Sequence, residues 1–267
     1  MKLQRTQNTA VPAPRVWAWA WGGLLAGMLG ASLAWAPASL LARLVTGFSE
    51  GRVSLSQTRG TVWAGSAELA LTGGAGSTDL ARLPGRVEWR LAPAWPGLAV
   101  WLRADCCMAT ASEVRLLPRW QGGQLTLGAV NASFPLEVLA GLGTPWNTIQ
   151  PQGALSVQTS GIDIQWALGR WSLSGHATLD TGDLTVRLST LRPIGRYRLQ
   201  LTGAEPPRLS LETLSGALLL KGQGQWSGGQ WRFEGEASAK PPYEEALSNL
   251  LNIVGRRNGA RSIIHLG

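Results

Sequence analysis

The sequence predicts a mainly β protein: one apolar N-terminal helix, then a large, curved, mostly antiparallel sheet that carries a C-terminal amphipathic helix. Three observations predict it. Segments of alternating polarity recur along most of the 267 residues. The connectors between them, among them "TGGAGS", "QGG", "DTGD" and "SGG", suit hairpins and are too short for parallel crossovers. Only one long charge-free stretch is also predominantly apolar, and it lies near the start of the chain.

That stretch runs from Val16 to Ala42, "VWAWAWGGLLAGMLGASLAWAPASLLA". As one helix it would extend about 40 Å against a hydrocarbon core of about 30 Å, so a single tilted transmembrane helix is expected over 16–42. Trp17, Trp19, Trp21 and Trp35 sit near its two ends, where amphipathic rings favour the membrane interfaces. Lys2, Arg5 and Arg15 precede it, and no acidic residue occurs before Glu50. The positive-inside rule then puts residues 1–15 in the cytoplasm and residues 43–267 across the membrane, in the periplasm of a bacterial cell with the helix in its inner membrane. A cleaved signal is the alternative, since "AWA" at 34–36 has the small-x-small form. Pro37 directly after it would hinder a peptidase, and a signal-anchor fits better.

Strand segments are expected at 52–58, 60–72, 85–91, 98–105, 112–117, 123–131, 153–168, 170–180, 183–190, 196–203, 208–213, 215–226 and 230–238. In "TRGTVWAGSAELAL" the parity puts Trp63, Ala67, Leu69 and Leu71 on one face. In "GRWSLSGHATL" it puts Trp171, Leu173, Gly175 and Ala177 opposite Ser172, Ser174 and His176. In "GQWRFEGEASA" it puts Trp231, Phe233, Gly235 and Ala237 opposite Arg232, Glu234 and Glu236. The last two stretches form a short internal repeat in which small residues let a large neighbouring ring lie flat on the sheet. Trp63, Trp171, Leu173, Trp231 and Phe233 are therefore the expected apolar face, filling the concave side of the sheet as core. A groove for a lipid-like or peptide ligand is the competing reading.

Two helical segments interrupt the strands. "PLEVLAGLG", 135–143, opens on Pro135 and closes on glycine. "YEEALSNLLNIVG", 243–255, places Leu247, Leu250, Leu251 and Val254 on one stripe, with Glu244 and Glu245 in its first turn and Gly255 as the expected C-cap. It is expected to lie on the sheet.

Chemistry is sparse. The two histidines, His176 and His265, are too few for a multi-histidine metal centre, and no G-x-S-x-G, H-E-x-x-H or Walker pattern occurs. No catalytic, cofactor-binding or metal residue is expected, and the chain does not read as an enzyme. Asp180 and Asp183 bracket a turn, where acids serve as turn formers. Of the net charge of +8, three positive charges lie in the tail, and the remaining bases are spread along the strands without a run. A nucleic-acid groove needs clustered charge with interleaved aromatics, so nucleic acid is excluded as a partner. Cys106 and Cys107 are adjacent and are the only cysteines. They stay unbridged, close a vicinal disulfide or pair between chains. Neighbours on a strand point to opposite faces, which opposes a bond between them.

The order of elements carries one resemblance. "SQTRGTVWAGSAEL" follows the apolar stretch, "GRVEWRLAPAWP" comes next, and "ALSNLLNIVGRRNGARSIIHLG" closes the chain. These resemble the protein N family of the bacterial type II secretion system in a G-T-V/L-W-x-G-x-A segment, a W-x-L-x-P strand and a C-terminal helix with GRR-x-GAR. The resemblance implies an inner-membrane component of the machine that exports folded proteins from the periplasm, with partners in the inner-membrane platform and no catalytic residues. A lipid-handling protein of the AsmA or LPS-bridge kind is the alternative, since those also follow a membrane helix with one-sided strands. The terminal segment "RSIIHLG" is β-capable and is expected to cover one edge of the sheet, leaving the other for a partner strand.

Overall fold

The computed structural model describes residues 16–227 and 229–267; the basic tail expected at 1–15 lies outside the described residues. The chain forms two compact units, divided between Ala36 and Pro37. In the first, helix α1 runs Val16–Ala34, and its described large side chains are exposed. Among the described residues no helix is long and apolar enough to cross a membrane. The single helix expected over 16–42 is thus divided, and the cause is Pro37. A proline lacks an N–H and drives the preceding residue out of helical geometry. Pro37 itself is extended, at φ −69° and ψ 149°.

Residues 38–42 belong instead to a second helix, α2 (Ala38–Phe48), in the second unit. It packs on the first two strands, where Ala38 and Leu41 cluster with Ala67 and Leu55 and with the Trp89 ring of the fourth strand. The second unit is built on one antiparallel sheet of sixteen strands. These are β1 (Val53–Gly60), β2 (Ala64–Thr72), β3 (Leu80–Arg82), β4 (Val87–Ala94), β5 (Gly97–Ala104), β6 (Ser112–Arg119), β7 (Gly122–Leu127) and β8 (Val130–Pro135). They continue with β9 (Ala154–Ala167), β10 (Arg170–Thr181), β11 (Gly195–Thr202), β12 (Arg208–Gly216), β13 (Leu218–Ser227), β14 (Gln230–Ala239), β15 (Arg256–Asn258) and β16 (Arg261–Leu266). The order is β1-β2-β4-β5-β6-β7-β9-β10-β11-β12-β13-β14-β16-β15, with β3 added to β2 and β8 to β9. The sheet is open. The turns β1–β2, β4–β5, β6–β7, β9–β10, β11–β12 and β13–β14 all fall at one end of it, which we call the hairpin end.

Most expected strands form, and the departures have local causes. The segment 123–131 is divided into β7 and β8 because Gly128 and Ala129 stand opposite the bulge of β9 at Ser160–Gly161 and lose their pairing there, while Gly128 N–H still donates to the Glu113 carbonyl of β6 at 2.7 Å. β7 then pairs with Ile162–Ala167 of β9 and β8 with Ala154–Thr159. The segment 183–190 is not a strand: Leu184 and Thr185 make isolated bridges to Gly195 and Gln152, and Val186 turns into the core. The helix expected at 135–143 is a 3-10 helix, Leu136–Leu142, ended by Gly143 at φ 80°. A short helix α3 (Trp146–Ile149) follows it. The helix expected near 243–254 is α4 (Glu244–Val254), with Leu247, Leu250 and Leu251 buried. Gly255 does not cap it in the left-handed region, being extended at φ −168°. Glycine is required there because a Cβ would stand 2.4 Å from the Ile263 carbonyl oxygen.

Residues directly opposite in an antiparallel pair share a face, and the register therefore traces the apolar side across the sheet. It passes through Leu98↔Leu116, Leu116↔Leu125, Leu125↔Ile164 and Ile164↔Leu173, and continues through Leu179↔Leu199, Leu199↔Leu211, Leu211↔Gly222 and Gly235↔Ile264. The other face is polar, with Glu88↔Arg103, Asp180↔Arg198, Arg198↔Glu212 and Lys221↔Glu236. At the end away from the hairpins, α4 and the 184–194 segment lie on the apolar face. Leu247, Leu250, Leu251, Val186 and Ile194 pack there with Tyr197, Leu218 and Ala237. Tyr197 is buried, its hydroxyl donating to the Leu218 carbonyl at 3.0 Å, and burial pushes that hydroxyl's pKa up.

Candidate interaction surfaces

Near the hairpin end the apolar face is lined by aromatic rings. Trp171 and Trp226 meet edge to face at 4.7 Å, and Trp226 meets Trp231 in the same way at 5.7 Å. Trp166 is directly opposite Trp171, and its ring lies over Gly123, where a Cβ would come within 2.3 Å of it. Phe233 lies over Gly222, Gly224 and Gly235 in the same manner. The glycines keep the backbone bare so that large rings lie flat.

The residues expected on the apolar face are placed unequally. Leu173 and Phe233 are buried, while Trp171 and Trp231 are only half-buried. The expectation of a filled core is corrected at these two indoles: α4 covers the far end of the face and stops short of them. Trp63 is not on a strand. It sits half-buried in the β1–β2 turn, and its carbonyl accepts from Leu91 N–H at 2.6 Å. The indole that fills the space beside Gly65 is Trp89, which is buried and donates from Nε1 to the carbonyls of Val62 (3.0 Å) and Thr61 (3.3 Å). Trp166 and Trp226 carry no signal in the sequence because each stands in a strand without the Trp-apolar-Gly-Ala pattern, and Trp89 stands out only as the first residue of the W-x-L-x-P strand.

The structure joins Cys106 to Cys107. The strand argument against that bond does not apply, because both cysteines lie in a turn after β5, where side chains no longer alternate. Cys107 is buried against Leu83, Ala104 and Val138.

The polar face carries structural pairs. Asp180 is held by Arg198 through two contacts, Nε to Oδ1 at 2.8 Å and Nη2 to Oδ2 at 2.7 Å, and Asp183 by Arg196 at 2.6 Å. The arginine in each pair keeps the carboxyl below its ordinary range. Asp163 is lowered chiefly by Gln124, with Gln165 and Thr126 also donating to it. His176 is exposed beside Ser160 at 3.5 Å. Among the described residues no group of His, Cys, Asp or Glu converges as a metal site would require.

Both edges of the sheet are blunted. At β1, Ser49 Oγ accepts from Val53 N–H (3.0 Å) and lies 3.2 Å from the Val53 carbonyl, and a bulge between Ser56 and Arg59 breaks the register. At the other end β15 is three residues long and carries Arg256 and Arg257. Such edges discourage strand addition. A different surface is unpartnered within its unit: the outer side of α2 presents Leu40, Leu44 and Phe48 at i, i+4 and i+8, with Phe48 88% exposed.

A family model described as type II secretion system (T2SS), protein N matches residues 51–263. That span takes in the sheet from the turn before β1 into β16. The chain belongs to the type II secretion system protein N family. It is thus a component of type II protein secretion, and the assignment rests on the sheet unit and not on the apolar stretch before it. No curated protein and no solved structure matches the chain.

Proposed function

We propose that this chain is a non-enzymatic, inner-membrane-anchored subunit of the type II secretion machine, whose sheet unit stands in the periplasm and docks inner-membrane platform proteins through α2. The exposed stripe of Leu40, Leu44 and Phe48 is the observation that carries the docking surface, because these three apolar side chains lie on the side of the helix away from its packing on β1 and β2 and stay open within the unit. The apolar sequence that begins at Val16 supports the anchor, and the basic residues before it support a cytoplasmic N-terminus and a single pass. A reporter active only in the periplasm, fused after Gly267, is expected to be active; an inactive fusion at normal expression overturns the topology. Leu44→Glu with Phe48→Glu is expected to abolish pull-down of platform proteins and reduce secretion without lowering Tm. Unchanged pull-down removes α2 as the docking surface.

The half-buried Trp171, Trp226 and Trp231 favour a second reading, in which the open part of the apolar face holds an acyl chain, as the lipid-bridging proteins do. Lipid extraction of the purified full chain separates the two. Stoichiometric lipid that is lost in Trp226→Ser supports the groove, and its absence leaves the docking role alone.

A further inference from the structure

We infer that the hairpin end of the sheet is itself a membrane-contact surface, which dips exposed aromatic tips into an anionic phospholipid surface. This rests on the reading that the chain is membrane-anchored and adds to it a second, reversible contact made by the sheet unit. Three successive hairpins carry large apolar side chains at their tips: Trp95 between β4 and β5 is 98% exposed, Trp120 between β6 and β7 is 100% exposed, and Leu168 between β9 and β10 is 77% exposed. In the sheet order these tips are two strands apart, which sets them about 10 Å from one another along a single rim. None of the three supports the fold by burial, and two bare indoles and a leucine in a row at turn tips are costly in water. Tryptophan gains at the level of lipid headgroups, where its ring is half in hydrocarbon and its N–H stays wet.

Two further observations choose a lipid surface over a protein. The chain enters the sheet unit at this same end, since Pro37 bridges Thr61 in the β1–β2 turn, and the apolar sequence lies immediately before Pro37. The turns of the hairpin end and the strand ends beside them also hold Arg59, Arg119, Arg170 and Arg208 against one acid, Glu205. Turns and loops at the opposite end carry Glu50, Asp79, Asp105, Glu137, Asp183, Glu244 and Glu245 against Arg52, Arg86, Arg187, Arg192 and Lys240, so acids outnumber bases there and bases outnumber acids at the hairpin end. A basic rim around exposed aromatics is the complement of a negatively charged bilayer surface. α2 runs from this end away along β1, from Pro37 beside Thr61 to Ser49 beside Val53, so its outer stripe points along the sheet and remains available to protein partners.

The test uses the full chain in vesicles of phosphatidylethanolamine and phosphatidylglycerol, part of it with brominated acyl chains. An NBD probe is placed on Gln121→Cys at the hairpin end and, separately, on Thr78→Cys at the opposite end; Cys106 and Cys107 are joined, so the new thiol takes the label. The probe at 121 is expected to be quenched by brominated lipid several-fold more than the probe at 78. That quenching is expected to be lost in Trp95→Ser with Trp120→Ser and Leu168→Ser, whose exposed parents leave the melting unchanged, and to weaken when phosphatidylcholine replaces phosphatidylglycerol. Equal quenching at both positions in a chain that still floats with the vesicles overturns the tip contact and leaves the anchor standing. Protection of 121 from iodide without lipid quenching means that protein covers the tips, and also overturns it. A chain that does not float removes the anchor and the tip contact together.

Discussion

Trp171 and Trp226 meet edge to face at 4.7 Å, although β11 and β12 separate their strands. In a flat sheet three strand steps would set them about 14 Å apart. The contact is possible because β11 pairs only with His176–Asp180 of β10, its last bond being Gly203 N–H to the Gly175 carbonyl, so Trp171 lies beyond the end of β11 while Trp226 N–H is still held by the Pro207 carbonyl at 3.0 Å. The sheet therefore curls at this end and brings its apolar face in on itself. Trp226→Ala is expected to cost about 2 kcal/mol, below the ~3–5 kcal/mol of a fully buried tryptophan. A double-mutant cycle with Trp171→Ala is expected to give a coupling of about 0.5–1.5 kcal/mol in urea unfolding. His176→Ala, on the polar face, should stay within about 0.5 kcal/mol of the parent and show no coupling. Additive tryptophan losses would mean that the rings do not meet in solution.

Two glycines test the packing with opposite signs. A Cβ on Gly65 would stand 2.6 Å from Trp89 Cζ2 and 2.7 Å from the Arg59 carbonyl oxygen, and neither can give way, since Trp89 is buried with its N–H committed. Gly65→Ala is expected to destabilise by about 1–3 kcal/mol. Gly47 lies in α2 with nothing within 4 Å of where a Cβ would stand. Gly47→Ala is expected to stabilise by about 0.5–1 kcal/mol through helix propensity. Thermal unfolding of both variants decides it, and shifts of the same sign would contradict the account.

Acid should weaken the polar face. The carboxyls of Asp180, Asp183 and Asp163 are held below their ordinary range in the fold. A lowered folded pKa contributes stability that is fully present above the unfolded value, near 3.9, and is lost as pH falls through the folded value. The parent should therefore lose stability below about pH 4, and Asp180→Asn should flatten that limb while costing about 0.5 kcal/mol at pH 7 for a partly exposed pair. Denaturation curves between pH 7 and 2.5 are the check. A deficit in the variant that stays constant down to pH 2.5 would show that the Arg198 pairing contributes nothing ionic.

Much of this fold was legible because its strands alternate. The parity of Trp171, Leu173 and Ala177, and of Trp231, Phe233 and Ala237, gave the buried side correctly, since a half-covered antiparallel strand has no other way to arrange its side chains. α4 was legible from its leucine stripe. Three features were not. Pro37 was read against peptidase cleavage and not as the end of a helix, so an apolar composition hid the start of α2. Val186 and Ile194 sit in a segment that has β-like residues but no strand to pair with, a tertiary choice that composition does not record. The tips at Trp95 and Trp120 are single residues in turns, without any period for a pattern to detect.

The C-terminal strand should hold the far end of the sheet together. β16 pairs with β14 from Phe233 to Ser238, and on its other side it is the partner of β15. Ser262 is fully buried, and its Oγ donates to the Leu251 carbonyl at 2.6 Å, satisfying one of the carbonyls that α4 leaves unpaired near its C-terminus. Ile264 packs on the cluster around Leu247 and Leu250. Deleting Ser262–Gly267 would therefore expose the edge of β14, orphan β15 and loosen α4 in one step. We expect a large fall in Tm and aggregation through the bared edge. Ser262→Ala keeps the strand and removes only the hydroxyl, so it should cost about 1–3 kcal/mol for the buried carbonyl left without a donor. Glu113→Ala, on the polar side of β6, should change stability by no more than about 0.5 kcal/mol. The graded order is the test: a truncated chain that melts with the parent, or a Ser262→Ala variant as damaging as the deletion, would show that α4 does not depend on β16 in this way.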